Sequence, residues 1–284
     1  MKQIILFFTM IGFCLTTKAQ KLENTLLWKV SGKNIETPSY LYGTMHIVCE
    51  FNFDEDINKA LEETTQMYLE LDMDEPNFQM EMMKAMMMED GITIKSLLSL
   101  EDQKTLDKFL KENFGYDLTL LNTIKPFFIS SMLYPKILDC DIKAIDMELM
   151  TLSKKQNEEV FGLELVEDQM KIFDEIDYQI QLDELMKSVK DNLKNDKIEM
   201  KKLQEIYKTE NITKMLEVML ESDNKLMSDY NDVMLTNRNI NWIPIIEKAM
   251  NKPTFFAFGA GHLAGENGVI NLLVKQGYTV EPLK

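Results

Sequence analysis

The chain holds two histidines, and each stands three residues after a glycine at the end of an apolar, strand-like run: Ser39-Tyr-Leu-Tyr-Gly43-Thr-Met-His46 near the start and Thr254-Phe-Phe-Ala-Phe-Gly259-Ala-Gly-His262 near the end. The second run is followed by Val269-Ile-Asn-Leu-Leu-Val274, with helical spacing of its apolar residues, so this stretch reads as strand, tight glycine turn and helix. Such a turn delivers a side chain to the end of a buried strand, where open α/β sheets bind ligands, and glycine leaves space there for backbone. With 11 glycines in 284 residues, two matched spacings are not expected by chance. We read them as halves of one site, which obliges the fold to bring residues 46 and 262 together.

Between the two motifs lie carboxylates at strand ends. Gln66-Met-Tyr-Leu-Glu70-Leu-Asp72-Met73 alternates strictly, with Glu70 on the polar side. If this strand lies beside the one carrying His46, Glu70 points into the same cleft. Val160-Phe-Gly162-Leu-Glu164 is a second strand, leading into the helical pattern Val166 to Phe173, so Glu164 also stands at a strand-to-helix junction. An N-terminal hairpin is expected from Leu26 to Tyr42, with its turn at Gly32-Lys-Asn34, and a closing strand at Tyr278 to Glu281. Residues 94–138 and 174–236 have helical patterns, Pro244 to Met250 reads as a helix opened by its proline, and the methionine-rich stretch 78–90 reads as an adaptable helix over a groove.

The ends and the charge narrow the function classes. Met1-Lys2, the apolar run Ile4 to Leu15 and Thr17-Lys-Ala19 have the form of a secretory leader cleaved near Ala19, so an exported, periplasmic or secreted protein is expected. No later stretch reaches the roughly 20 apolar residues of a membrane span. Without the leader the chain carries 29 basic and 47 acidic residues, which argues against nucleic acid as a partner. Cys49 and Cys140 remain; an exported pair can bridge, but two cysteines are no disulfide scaffold, and two buried thiols are the plainer expectation. Of 31 basic residues only Arg238 is arginine, which suggests a position needing a fixed, planar fork as much as it suggests a structural ion pair.

Taken together, Trp28-Lys-Val30, the two Gly-x-x-His runs, Tyr68-Leu-Glu70, Ile145-Asp146, Gly162-Leu-Glu164 with Gln169, and Arg238-Asn239 resemble the TraB/GumN family, which includes the Tiki proteases. The resemblance covers nearly the whole mature chain. It implies one domain over residues 20–284: an α/β core with a central mixed sheet, helices around it and helical insertions at about 76–140 and 174–236, related in fold to erythromycin esterase and haem-binding ChaN-like proteins. For Tiki-like members it also implies a metal-dependent peptidase using manganese or cobalt. His46, Glu70 and His262 match the family's active-site residues; Glu164 and Arg238 match further motif positions.

Two histidines with one or two carboxylates suit a divalent ion that leaves positions open for water and substrate. In that reading His46, His262 and Glu164 hold a metal, with zinc also possible. Glu70 is the general base or a further ligand, and Arg238 stabilises the oxyanion of a peptide or protein substrate. There is no His-Glu-x-x-His helix and no Gly-x-Ser-x-Gly elbow. Two alternatives stay open: a metal-free hydrolase with His46 or His262 as base, and a protein that binds peptide or haem without turnover.

Overall fold

Thr254 to Phe258 are fully buried, and a strand with both faces covered belongs in the middle of a parallel sheet. The structure, a computed structural model describing residues 22–284, places it there. In chain order the strands are β1 (Leu27–Ser31), β2 (Ser39–Thr44), β3 (Gln66–Leu71), β4 (Val160–Glu164), β5 (Thr254–Gly259) and β6 (Thr279–Pro282). They form one mixed sheet in the order β4-β3-β5-β2-β1-β6. β4, β3, β5 and β2 run parallel, and β1 pairs antiparallel with both β2 and β6. The expected hairpin is present, turning at Gly32 with φ +83°. β3, however, does not lie beside the His46 strand: β5 stands between them, pairing with both.

The four parallel strands end along one edge of the sheet, so Thr44, Glu70, Glu164 and Gly259 come to the same rim. Phe258 packs against Trp242 of the helix Asn237–Ala249, and Phe255 meets Tyr42. That helix differs from expectation. It begins two turns before Pro244, which sits inside it, so Arg238, Asn239 and Trp242 all project from one rigid element. A proline inside a helix forfeits one hydrogen bond, and here the carbonyl it leaves belongs to the exposed Ile240, which water can serve.

A second core is wholly helical. Leu106, Phe109 and Leu110 of Leu100–Phe114 pack with Ile129 of Pro126–Ser131 and with Leu182, Leu185 and Met186 of Tyr178–Lys190. The two helical regions therefore bury their apolar faces against each other. Residues 174–236 form several helices rather than one run, ending in a π-helical turn, Asp232–Thr236, that leads into the Arg238 helix. The methionine-rich helix Phe78–Ala85 has no buried residue; its Phe78 and Met82 rest near Val166 and Met170, while Met80 and Met83 face outward.

Cys49 and Cys140 form a disulfide, where two buried thiols were the plainer expectation. The pairing is supported by a short antiparallel bridge between Val48 and Lys143, which brings the loop after His46 against the end of the first helical region. Among the described residues no helix is long and apolar enough to cross a membrane. The leader expected over residues 1–19 lies outside the described residues.

Candidate functional site

The rim of the parallel strands gathers charge that a protein interior otherwise avoids. Glu70 at the end of β3 and Glu164 at the end of β4 are both nearly buried, and the Arg238 guanidinium lies between them. Arg238 Nη2 donates to Glu164 Oε1 at 2.6 Å and also to Glu70 Oε2, while Nε donates to both oxygens of Glu164 at 3.1 and 3.2 Å. Its Nη1 donates to the Met234 carbonyl at 3.1 Å and lies 3.2 Å from His262 Nε2. Gln169 Nε2 bridges the carboxylates, at 3.0 Å from Glu70 and 2.9 Å from Glu164. Gly259 N–H completes Glu70 at 2.8 Å, and Trp242 Nε1–H reaches Glu164 at 3.2 Å. The π-helical turn places Met234 one turn before Arg238, and such turns often mark sites where a side chain is re-aimed.

His262 lies in the single 3₁₀ turn Ala260–His262 after β5 and is 3% exposed. Its Nδ1 is 2.6 Å from Asn239 Oδ1, so it carries the proton that Asn239 accepts, and Nε2 turns its lone pair to Arg238. Asn239 is itself fixed by donating to the Asn267 carbonyl at 2.9 Å. Burial, followed by the charge of Arg238, lowers the imidazole's pKa to about 3. His262 is therefore neutral.

His46 is different. Its side chain is 68% exposed, and Nδ1 lies 3.0 Å from Asp146 Oδ2, whose other oxygen accepts from Thr44 Oγ1 at 3.0 Å. Shielding by the surrounding protein works to lower its pKa, but the Asp146 hydrogen bond and the negative charge of Glu70 raise it to about 9. The charge of His46 in turn acts on Glu70 and His262, so the two motifs share one electrostatic field. They also touch: a Cβ on Gly43 would lie 2.7 Å from Leu263 and 2.9 Å from Ala260, so the second turn packs where the first motif has no side chain. Tyr207 O–H donates to the Gly43 carbonyl at 3.0 Å and holds that strand end from outside.

The two carboxylates respond oppositely. Burial pushes Glu70 up, but Arg238 and the Gly259 N–H hold it well below the usual carboxylate range. At Glu164 burial wins over Arg238 and the pKa rises.

All five sequence-derived candidates thus lie on this rim: Glu70, Glu164, Arg238 and His262 in contact, with His46 set to one side. Three partners stand in the motifs that carry the resemblance but received no role from the sequence. Asp146 orients His46, Asn239 orients His262, and Gln169 ties the carboxylates together. The only signal for Asn239 was its place beside Arg238.

Whether these residues fit a metal can be judged from their donors. Every oxygen of Glu70 and Glu164 already accepts from protein, His262 Nε2 faces Arg238, and a guanidinium occupies the space between the carboxylates. Among the described residues no three His, Cys, Asp or Glu side chains are grouped to hold an ion. In this arrangement the donor set does not fit a metal centre. Arg238 likewise has each of its N–H groups directed at a protein acceptor, so it serves here as the cation that fixes the carboxylates and leaves no donor for an oxyanion.

The sequence model of the TraB/PrgY/gumN family matches residues 26–282. The chain is similar to a protein of Danio rerio named metalloprotease TIKI1, 23% identical across 94% of this chain and 65% of that protein. It is also similar to metalloprotease TIKI2 of Xenopus tropicalis, 22% identical across 95% of this chain and 62% of the relative, and to human metalloprotease TIKI1, 22% identical across 93% and 63%. The chain spans less than two thirds of the length of these relatives. No solved structure matches it.

Proposed function

Since the chain belongs to the TraB/PrgY/gumN family, we propose that it is an exported hydrolase of peptide or protein substrates whose chemistry takes place at the rim formed by His46, Glu70, Glu164, Arg238 and His262. The observation that carries this reading is the exposed His46–Asp146 pair beside a buried, charge-locked Glu70–Arg238–Glu164 cluster. The names of the relatives support peptide hydrolysis, and the Cys49–Cys140 disulfide supports export to an oxidising compartment.

Of the two histidines, His46 is the one able to move a proton. Asp146 holds Nδ1 and orients the ring, leaving Nε2 to face solvent and substrate. In its neutral form Nε2 takes a proton from water as the oxygen bonds to the amide carbon; the carbon–nitrogen bond then breaks and the same proton passes to the departing amine. Glu70, Arg238 and Glu164 form a fixed field beside that event, and His262, locked by Asn239, is part of the frame that holds them. No step is assigned to a metal, because the donors are engaged with Arg238. Metal dependence, which the relatives' names carry, requires Arg238 to release those donors.

The test is cleavage of a mixed peptide library by the mature protein, after chelation and after restoring Mn²⁺, Co²⁺ or Zn²⁺, beside His46→Ala and His262→Ala. Cleavage that survives chelation and is lost in His46→Ala supports the reading as stated. Cleavage restored only by a metal moves the chemistry to a rearranged site. Absence of cleavage under every condition, or its survival in both variants, rejects the hydrolase.

A further inference from the structure

A cavity of about 880 Å³ lies along β4, the end strand of the sheet, between the helices Val166–Glu175 and Asn237–Ala249. Its volume is in the range of ligand sites. It is continuous with the rim, since Glu164, Arg238 and Trp242 line it, and it runs back along the strand past Gly162 and Phe161.

The strand presents its backbone to this space. Met67 N–H donates to the Glu159 carbonyl at 3.1 Å, which sets the phase of the β3–β4 ladder. Backbone groups alternate sides along a strand, so the N–H and C=O of Phe161 and Leu163 turn to β3, while those of Gly162 and Glu164 turn outward. A Cβ at Gly162 would come within 2.8 Å of Asp72 N and the Glu164 carbonyl, so the glycine lets the end of β3 pass close to β4 and brings Asp72 to this strand. At the same end Asp72 Oδ1 is buried with no hydrogen-bond partner in the structure, although its residue lines the cavity. An unpaired buried acceptor beside outward backbone groups suits a ligand that brings N–H donors at regular spacing.

We propose that this cavity is the substrate subsite and that it takes an extended peptide, added to β4 as a further strand and led by it to Glu164 and Arg238. The inference rests on the hydrolase reading for its substrate class. Backbone pairing gives such a site tolerance of side-chain sequence, because an edge strand recognises main chain. The flanking Phe161 and Ile245, both partly exposed, offer apolar surface to side chains of the peptide.

The experiment is a backbone N-methyl scan of one decapeptide, selected for binding from a random decapeptide library, read by fluorescence anisotropy and by cleavage with the mature protein and with Asn241→Trp. Asn241 is exposed and lines the cavity, so the larger side chain fills it from the helix surface without entering the core. Pairing with β4 requires N-methylation to weaken binding roughly fivefold to tenfold at every second residue and little between. Asn241→Trp should weaken the parent peptide at least tenfold, with unchanged thermal unfolding. Peptides that are cleaved with a flat scan, or with affinity unaffected by Asn241→Trp, overturn the strand-edge subsite and leave the hydrolase standing. An alternating scan without cleavage supports the subsite and rejects the hydrolase. No binding by any decapeptide overturns the subsite.

Discussion

The two Gly-x-x-His motifs are alike on paper and opposite in the molecule. β2 and β5 are parallel neighbours, but they pair Gly43 with Phe258 and Thr44 with Gly259, so the motifs are one residue out of step. After β5 the chain curls into a 3₁₀ turn whose Gly261 lies close under Met219 and Leu235 and whose His262 packs against Trp242. After β2 the chain leaves as a loop held by the disulfide, and His46 stays in the open beside Asp146. A spacing delivers a side chain to a strand end; what covers that end decides whether it reacts or supports. The difference divides the labour of the rim, with proton transfer at one motif and structural support at the other.

The largest effect that would sharpen this division is on catalysis. His46→Ala should lower kcat/KM by roughly 10²–10⁴ and, above pH 9 where the charged ring no longer contributes, leave stability within about 0.5 kcal/mol, because the ring is exposed. Asp146→Asn should lower the plateau rate reached above pH 9, because the ring is no longer held in one orientation. His262→Ala should instead cost stability, about 1–3 kcal/mol for the buried Asn239 amide left unpaired. Urea unfolding beside steady-state kinetics reads both, and a His262 variant of full stability and no activity would break the comparison.

Arg238→Met tests the buried side more severely. Its guanidinium is enclosed by Glu70, Glu164 and His262, and removing one partner of a buried charge cluster costs about 3–5 kcal/mol. The midpoint of urea unfolding should fall accordingly. A variant as stable as the parent would mean that the carboxylates had found another cation or a proton.

On the open side the counterpart is the disulfide. It closes a loop across a sequence separation of 91 residues, so Cys49→Ala with Cys140→Ala should cost about 2–4 kcal/mol. It should also loosen the His46 loop, since Val48 pairs with Lys143 just beyond the bridge. A loss of activity larger than the loss of stability, measured well below the unfolding temperature, would tie the bridge to the placement of His46.

Much of this was legible in the chain because burial leaves a pattern. Thr254 to Phe258 could only be a central strand, the alternation around Glu70 named its face, and the strand-to-helix junction at Glu164 brought it to the same rim. Strand order was less legible: nothing local to β3 says that β5, nearly 190 residues later, intervenes before β2. The Arg238 helix was hidden by Pro244, whose usual place is a first turn. The partners Asp146 and Asn239 are single polar residues whose role depends on long-range packing, and the lone arginine became informative only with two carboxylates around it.

The finest test of the comparison is titration of the two imidazoles by NMR in the intact protein. His262, lowered to about 3 by burial and by Arg238, should show no titration between pH 5 and 9, whereas His46 should titrate near pH 9. The signs for stability are opposite. His46 has its pKa raised on folding, so its contribution is full below the unfolded value of about 6.5 and is lost as pH rises through 9. His262 has its pKa lowered, so its contribution is full above about 6.5 and declines as pH falls toward 3. If neutral His46 is the base, kcat/KM should climb with pH and level off above 9, a profile that Asp146→Asn should shift to lower pH by removing the carboxylate charge that raises the pKa. Two imidazoles titrating together near 6.5 would erase the distinction between the motifs, and with it the assignment of proton transfer to His46.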